Sequence, residues 1–115
     1  MKKQVLRYVL GQSHVARACA VCFMTAIFPR SMYKYRSARA YRIVTLETGH
    51  LAQTFCLVAT WLGLAPFTTA AVADTAIESA LGLDGVNESM MYVAGVGMPQ
   101  SARRAAKRTP LRVAR

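Results

Sequence analysis

The sequence is poor in negative charge and in cysteine, and its middle is poor in charge of either sign. The 115 residues include 15 Lys and Arg against 5 Asp and Glu, a formal net charge of +10 at pH 7. No Lys or Arg stands between Arg42 and Arg103, and no Lys, Arg, Asp or Glu between Glu47 and Asp74. With 54% hydrophobic residues, such a chain has enough apolar content to exclude intrinsic disorder. The three cysteines, Cys19, Cys22 and Cys56, are an odd number and build no disulfide framework. They point to reduced thiols and a cytoplasmic protein. Cys19-Ala20-Val21-Cys22 has no second CxxC to complete a zinc site. In a strand its two thiols would point to opposite faces, so no metal is expected.

Other absences narrow the class further. After Met1-Lys2-Lys3 the apolar run of a signal peptide is missing, because Arg7, Gln12, His14 and Arg17 interrupt it. The uncharged stretch 48–73 is long enough to cross a bilayer. Gly63 and Pro66 break it, His50 and Gln53 lie within it, and neither half would span alone, so no membrane segment is expected. Gly95-Val96-Gly97 lacks the third glycine and the helix of a dinucleotide fingerprint. No internal repeat and no nucleic-acid motif is present, and nucleic acid is not an expected partner.

What is present is one small domain whose charge is segregated. Basic residues occupy 1–42 and 103–115, and the middle carries only Glu47, Asp74, Glu78, Asp84 and Glu88. Basic ends suit an anionic partner, or are simply solvated ends. The apolar spacing of Val5, Leu6, Val9 and Leu10 predicts a short helix ended by Gly11. The run 18–28 reads as a buried strand stopped by Pro29, and 30–42 as a loop or extended segment. Residues 43–62 form the best helix, with Glu47, His50 and Thr54 as its polar stripe and an apolar C-terminal half that should be buried. Gly63 is a natural stop. Residues 67–72 read as a strand, 75–81 as a helix with Asp74 as N-cap candidate, and 90–96 as a last strand. The expected fold class is α+β, with sheet strands packed on a long buried helix.

Four cations and three tyrosines interleave between Tyr33 and Arg42, immediately before the main helix. Lys34 lies among Arg30, Arg36 and Arg39, and an uncharged lysine is a competent base; Tyr35 can donate or relay a proton. Taken alone, the stretch is better read as a basic, aromatic surface loop.

Lys34-Tyr35, Arg39-Ala40-Tyr41-Arg42 and Gly49-His50-Leu51-Ala52-Gln53 together resemble the SagB-type dehydrogenase branch of the FMN-dependent nitroreductase superfamily. The similarity continues through Leu62-Gly63-Leu64, Thr68-Thr69-Ala70-Ala71 and Leu81-Gly82-Leu83-Asp84-Gly85, and covers roughly residues 9–99. It implies a nitroreductase-like α+β fold with FMN at the interface of a homodimer, or completed by a complementing chain. It implies oxidation of azolines to azoles in a peptide substrate, with Lys34 and Tyr35 in proton transfer. It places Thr68, Thr69, Ala70 and Ala71 beside the flavin ring. Lys107 and Arg108, in Lys107-Arg108-Thr109-Pro110, resemble a basic tail that completes the phosphate site; a basic helical stripe or a frayed end is an equal reading.

Members of that branch are longer and begin with a phosphate-gripping, arginine- and serine-rich motif that has no counterpart before Val9. The chain therefore reads as an N-terminally truncated, C-terminal half-domain over 1–100, followed by a basic tail over 101–115. Two other readings stay open: a non-catalytic basic binding protein, and an inactive remnant.

Overall fold

The computed structural model describes residues 2–100. Along the chain run α1 (Lys2–Tyr8), α2 (Ser13–Ala16), β1 (Ala20–Ile27), α3 (Phe28–Met32), α4 (Arg39–Trp61), β2 (Ala65–Thr69), α5 (Asp74–Leu81) and β3 (Glu88–Gly97). The three strands form one antiparallel sheet in the order β1-β3-β2. The last strand therefore lies between the other two. Helices α1, α2 and α5 cover one face of this α+β unit, and α4 packs against β2 and β3.

The core lies on the face covered by the short helices. Val9, Val15, Val72, Ile77, Met90 and Val93 form its buried cluster, with Tyr8, Phe23 and Phe67 packed on it. Burial of a residue such as Ile77 or Val93 contributes about 1.5–3 kcal/mol. The Ala73 N–H donates to the Tyr8 carbonyl (2.8 Å), and Gln12 Nε2 donates to the Ala71 carbonyl (2.7 Å). These two bonds fix the first segment of the chain to the loop after β2.

Several expected boundaries move. The strand expected over 67–72 is Ala65–Thr69, since Pro66 sits on an edge strand where no ladder donor is needed. Asp74 is not the N-cap: Ala73 holds that place, and Asp74 is the first helical residue, where its charge still faces the positive end of the helix. The segment 30–42 is not a loop throughout. Pro29 stops β1 but suits the first turn of α3, and α4 begins at Arg39, four residues before its expected start. Here Ser37 Oγ accepts from the Arg39 N–H (3.4 Å), a local side-chain bond that turns the chain into the helix.

The apolar C-terminal half of α4 is not buried. The helix is covered along one stripe only, at Ala40, Val44, Ala52 and Ala59, small residues that let it approach the sheet closely. Leu51, Leu57, Val58, Trp61 and Leu62 are exposed, Trp61 at 84%. A helix apolar on all sides needs covering on all sides, and this segment covers one.

The acids of the middle hold the turn that leads into β3. Asp84 accepts from the N–H groups of Val86 (2.9 Å), Asn87 (2.7 Å) and Glu88 (3.0 Å) and from Asn87 Nδ2 (2.7 Å). These donors, the Glu88 and Val86 amides foremost, hold its carboxyl well below the usual carboxylate range. A depressed folded-state pKa contributes stability that is complete above the unfolded value, near 4, and lost as pH falls toward the folded value. Asp84→Ala is therefore expected to be less stable than wild type at neutral pH, with the gap closing as pH falls well below about 4. Urea unfolding at a series of pH values checks this; a gap independent of pH contradicts it.

Candidate functional site

The site is built where the first half of α4 meets β3 and the end of β2. Strand β3 carries one extra residue: Met24 faces Tyr92 and Thr25 faces Met90, so Met91 has no partner on β1. Such a bulge bends the strand and re-aims its side chains. Glu78 of α5 steadies it, since its Oε1 accepts from Ser89 Oγ (2.6 Å) and the Met90 N–H (3.1 Å). Thr25 Oγ1 donates to Glu88 Oε1 at the same end of the sheet (2.7 Å). The role of Glu78 escapes sequence reading, which sees only an acid in a helix; its reach across 12 residues depends on how α5 packs on β3.

Met91 lines two cavities that succeed one another along α4. One, of about 280 Å³, is bounded by Thr45, Thr48, Gly49, Ala70, Met91 and Tyr92. The other, of about 390 Å³, lies nearer the start of α4 and is bounded by Phe28, Met32, Tyr41, Met90 and Met91 among others. In the first, the hydroxyls of Thr45 and Thr48 donate to the carbonyls of Tyr41 and Val44 (both 2.8 Å). Tyr92 OH donates to Thr68 Oγ1 (2.9 Å) and ties β3 to β2. With these hydroxyls occupied, the wall presents methyl groups, a thioether and an aromatic ring.

The residues singled out by sequence fall into three places. Thr68 and Thr69 end β2, and Ala70 and Ala71 come directly after it; Ala70 lines the smaller cavity, and the Ala71 N–H donates to Thr69 Oγ1 (3.2 Å). Lys34 and Tyr35 lie in the exposed turn between α3 and α4, with Lys34 Nζ 5.3 Å from the Tyr35 ring centroid. They line neither cavity, and no hydrogen bond among the described residues joins them to Thr68-Thr69-Ala70-Ala71. Lys107 and Arg108 lie outside the described residues. Gly49 and His50 are both on α4; Gly49 borders the smaller cavity and His50 is exposed. Cys19 and Cys22 are free thiols at the start of β1, and no cluster of metal-ligating side chains occurs among the described residues. None of the described helices is long and apolar enough to cross a membrane.

An antiparallel α+β sheet with a long, half-covered helix and a bulged central strand defines the class, and comparison with known proteins agrees. Residues 1–98 match the Nitroreductase family, and the chain belongs to it. Within that family it is similar to SagB-type members. It is 40% identical over 67 residues to the trifolitoxin-processing protein TfxB of Rhizobium leguminosarum bv. trifolii, a match covering 58% of this chain and 18% of that protein. Its fold superposes with a TM-score of 0.75 and 26% identity on a chain of the Escherichia coli microcin synthetase McbBCD complex, solved with truncated pro-MccB17 bound. That match covers 85% of this chain and 37% of the other. A chain from Anabaena variabilis described as a nitroreductase gives a TM-score of 0.75 at 27% identity, over 86% of this chain and 20% of its own. The sequence thus spans well under half the length of each of these relatives. The family is one of oxidoreductases that generally use a flavin.

Proposed function

We propose that this segment forms the ring-side half of an FMN-dependent dehydrogenase site that oxidises azolines in a peptide to azoles. The observation that carries the reading is the place of Lys34-Tyr35: an exposed turn directly before α4, open to a large substrate, in a chain whose relatives process peptides. The wall around Ala70 and Met91 fits the flat, largely apolar ring of a flavin. It contains no cation for the phosphate, so that end needs Lys107 and Arg108 or residues beyond the matched segment. Read this way, residues 1–100 supply one half of the domain and 101–115 a basic tail, and the rest of the site comes from outside this segment, a second copy or a complementing chain among the sources. The uncovered apolar side of α4 supports a homodimer, and the unpaired cysteines suit the cytoplasm.

Conversion of an azoline to an azole removes two hydrogens from the ring, one as a proton and one with its electron pair. FMN, when bound, supplies the acceptor for the second. This chain's part is the first: the Lys34 amine takes the ring proton, and the Tyr35 phenol relays it toward solvent. Lys34 Nζ lies 5.3 Å from the Tyr35 ring centroid, so the two side chains are neighbours on the turn. Thr68, Thr69, Ala70 and Ala71 keep side chains small where the ring must approach the backbone. In the presence of FMN and a model azoline peptide, the expected product is lighter by two hydrogens and the flavin is reduced by one equivalent under anaerobic conditions. A peptide unchanged in mass under those conditions overturns the proposal.

A further inference from the structure

The larger cavity at the start of α4 is not used by this chemistry. Its apolar lining includes Phe28, Met32, Tyr41 and Met90, with the Phe28 and Tyr41 rings 5.9 Å apart. Around it the chain carries a concentration of positive charge. Arg30, Lys34, Arg36, Arg39 and Arg42 lie within 13 residues, all are exposed, and no acid precedes Glu47 anywhere in the sequence. Arg39 and Arg42 stand in the first turns of α4, where the helix dipole already disfavours a cation. Their positions therefore oppose helix stability, and a bound anion would offset both the dipole and their mutual repulsion. The opposite wall of the cavity carries Gly85, Val86 and Ser89. The acids near that wall are held by their own chain: Asp84 by three backbone amides and Asn87, Glu78 by Ser89 and Met90, Glu88 by Thr25. The groove thus has one cationic lip and one lip whose acids are held by hydrogen bonds within the chain.

We propose that this groove docks an acidic segment of the peptide substrate, with an apolar side chain in the cavity and flanking carboxylates on the α3–α4 lip. The inference rests on the azoline-oxidising reading, and it names the chemistry of the part of the substrate that does not react. Charge complementarity selects the carboxylates, and the apolar cavity between them selects a peptide over a nucleic acid, which has no aliphatic side chain to place there. Holding a remote part of the substrate beside Lys34 would keep the reacting ring near the base without contributing to the chemical step.

Fluorescence anisotropy at low salt tests this with four labelled probes on the wild-type chain. The probes are a short peptide with Asp and Glu flanking a leucine, the same peptide with Asn and Gln for the acids, the acidic peptide with glycine for the leucine, and a single-stranded oligonucleotide of equal charge. The first is expected to bind best, with each altered peptide weaker by roughly tenfold, the scale of two or three exposed charge contacts or one buried apolar side chain. Arg36→Gln/Arg39→Gln is expected to weaken the acidic peptide by a similar factor and leave the amide peptide unchanged. Neither side chain contributes to the core, and loss of charge at Arg39 favours the helix, so the variant should fold. Equal binding of acidic and amide peptides overturns the proposal, as does an oligonucleotide that binds more tightly and loses affinity in the same variant. Oxidation of a small azoline by a chain that ignores the acidic peptide would overturn the docking site alone; docking without any azoline oxidation would overturn the catalytic reading alone.

Discussion

Lys34→Ala is expected to lower azoline oxidation by roughly 10²- to 10⁴-fold, the usual cost of removing a positioned base, and to leave flavin binding unchanged. The reason is a separation in space. Lys34 lies on the turn between α3 and α4 and lines neither cavity, whereas the wall proposed for the flavin ring is made by Ala70, Met91, Tyr92 and the middle of α4. Removal of its amine would take away the proposed proton acceptor and no part of the proposed ring-side wall. Tyr35→Phe should cost less, because the ring beside the Lys34 amine is kept and only the relay is lost. The two readouts are flavin content by visible absorbance and turnover of a model azoline peptide. A Lys34→Ala protein with normal turnover, or one that loses its flavin, removes the lysine from the chemistry and makes the turn a scaffold for α4.

Gly95→Ala should be the most damaging single methyl group in the sheet. Gly95 is buried on β3 and pairs with Val21 on one side and Phe67 on the other. A Cβ there would collide with the Phe67 ring and stand 2.8 Å from the Ala20 carbonyl oxygen. The Phe67 ring in turn is packed edge-on against His14 (5.4 Å between centroids), so yielding would disturb that contact. Overpacking of this kind costs about 1–3 kcal/mol. Phe67→Leu in the same chain should restore part of the loss, since a side chain can move and the Ala20 backbone cannot. Gly49→Ala gives the opposite sign. No atom lies within 4 Å of its would-be Cβ, and Ala is favoured over Gly inside a helix by about 0.5–1 kcal/mol. Thermal unfolding of the two variants separates them; a Gly95→Ala protein as stable as wild type contradicts this packing of β3.

Much of the fold is readable from residue order, for physical reasons that differ by element. The stop at Pro29, the turn at Gly63 and the end of the strand over 90–96 are each marked by a proline or a glycine, whose backbone preferences end an element, and each appears close to its expected place. The start of α4 has no such mark. Arg39 and Arg42 are poor residues for a helix N-terminus, and the bond that turns the chain comes from a serine two residues earlier that looks like part of a basic loop. Exposure of Leu57, Val58 and Trp61 is not legible in periodicity, which reports how apolar a helix is and not how much chain is available to cover it. Of the candidate site, Ala70 stands out in the sequence as one of four small residues and borders the smaller cavity, whereas the Lys-Tyr pair stands out as a motif and lies outside both cavities. The Met91 bulge and the Glu78 bonds that hold it are not, because both arise from strand pairing and helix packing between distant parts of the sequence.

Titration of the protein with FMN, monitored by its visible spectrum and by gel filtration, tests the central claim most directly. FMN is expected to be retained through the column, its absorption band to shift and gain structure on binding, and its retention to rise with protein concentration as α4 faces pair. A flavin that elutes free, with the spectrum it has in buffer at every protein concentration, would contradict it.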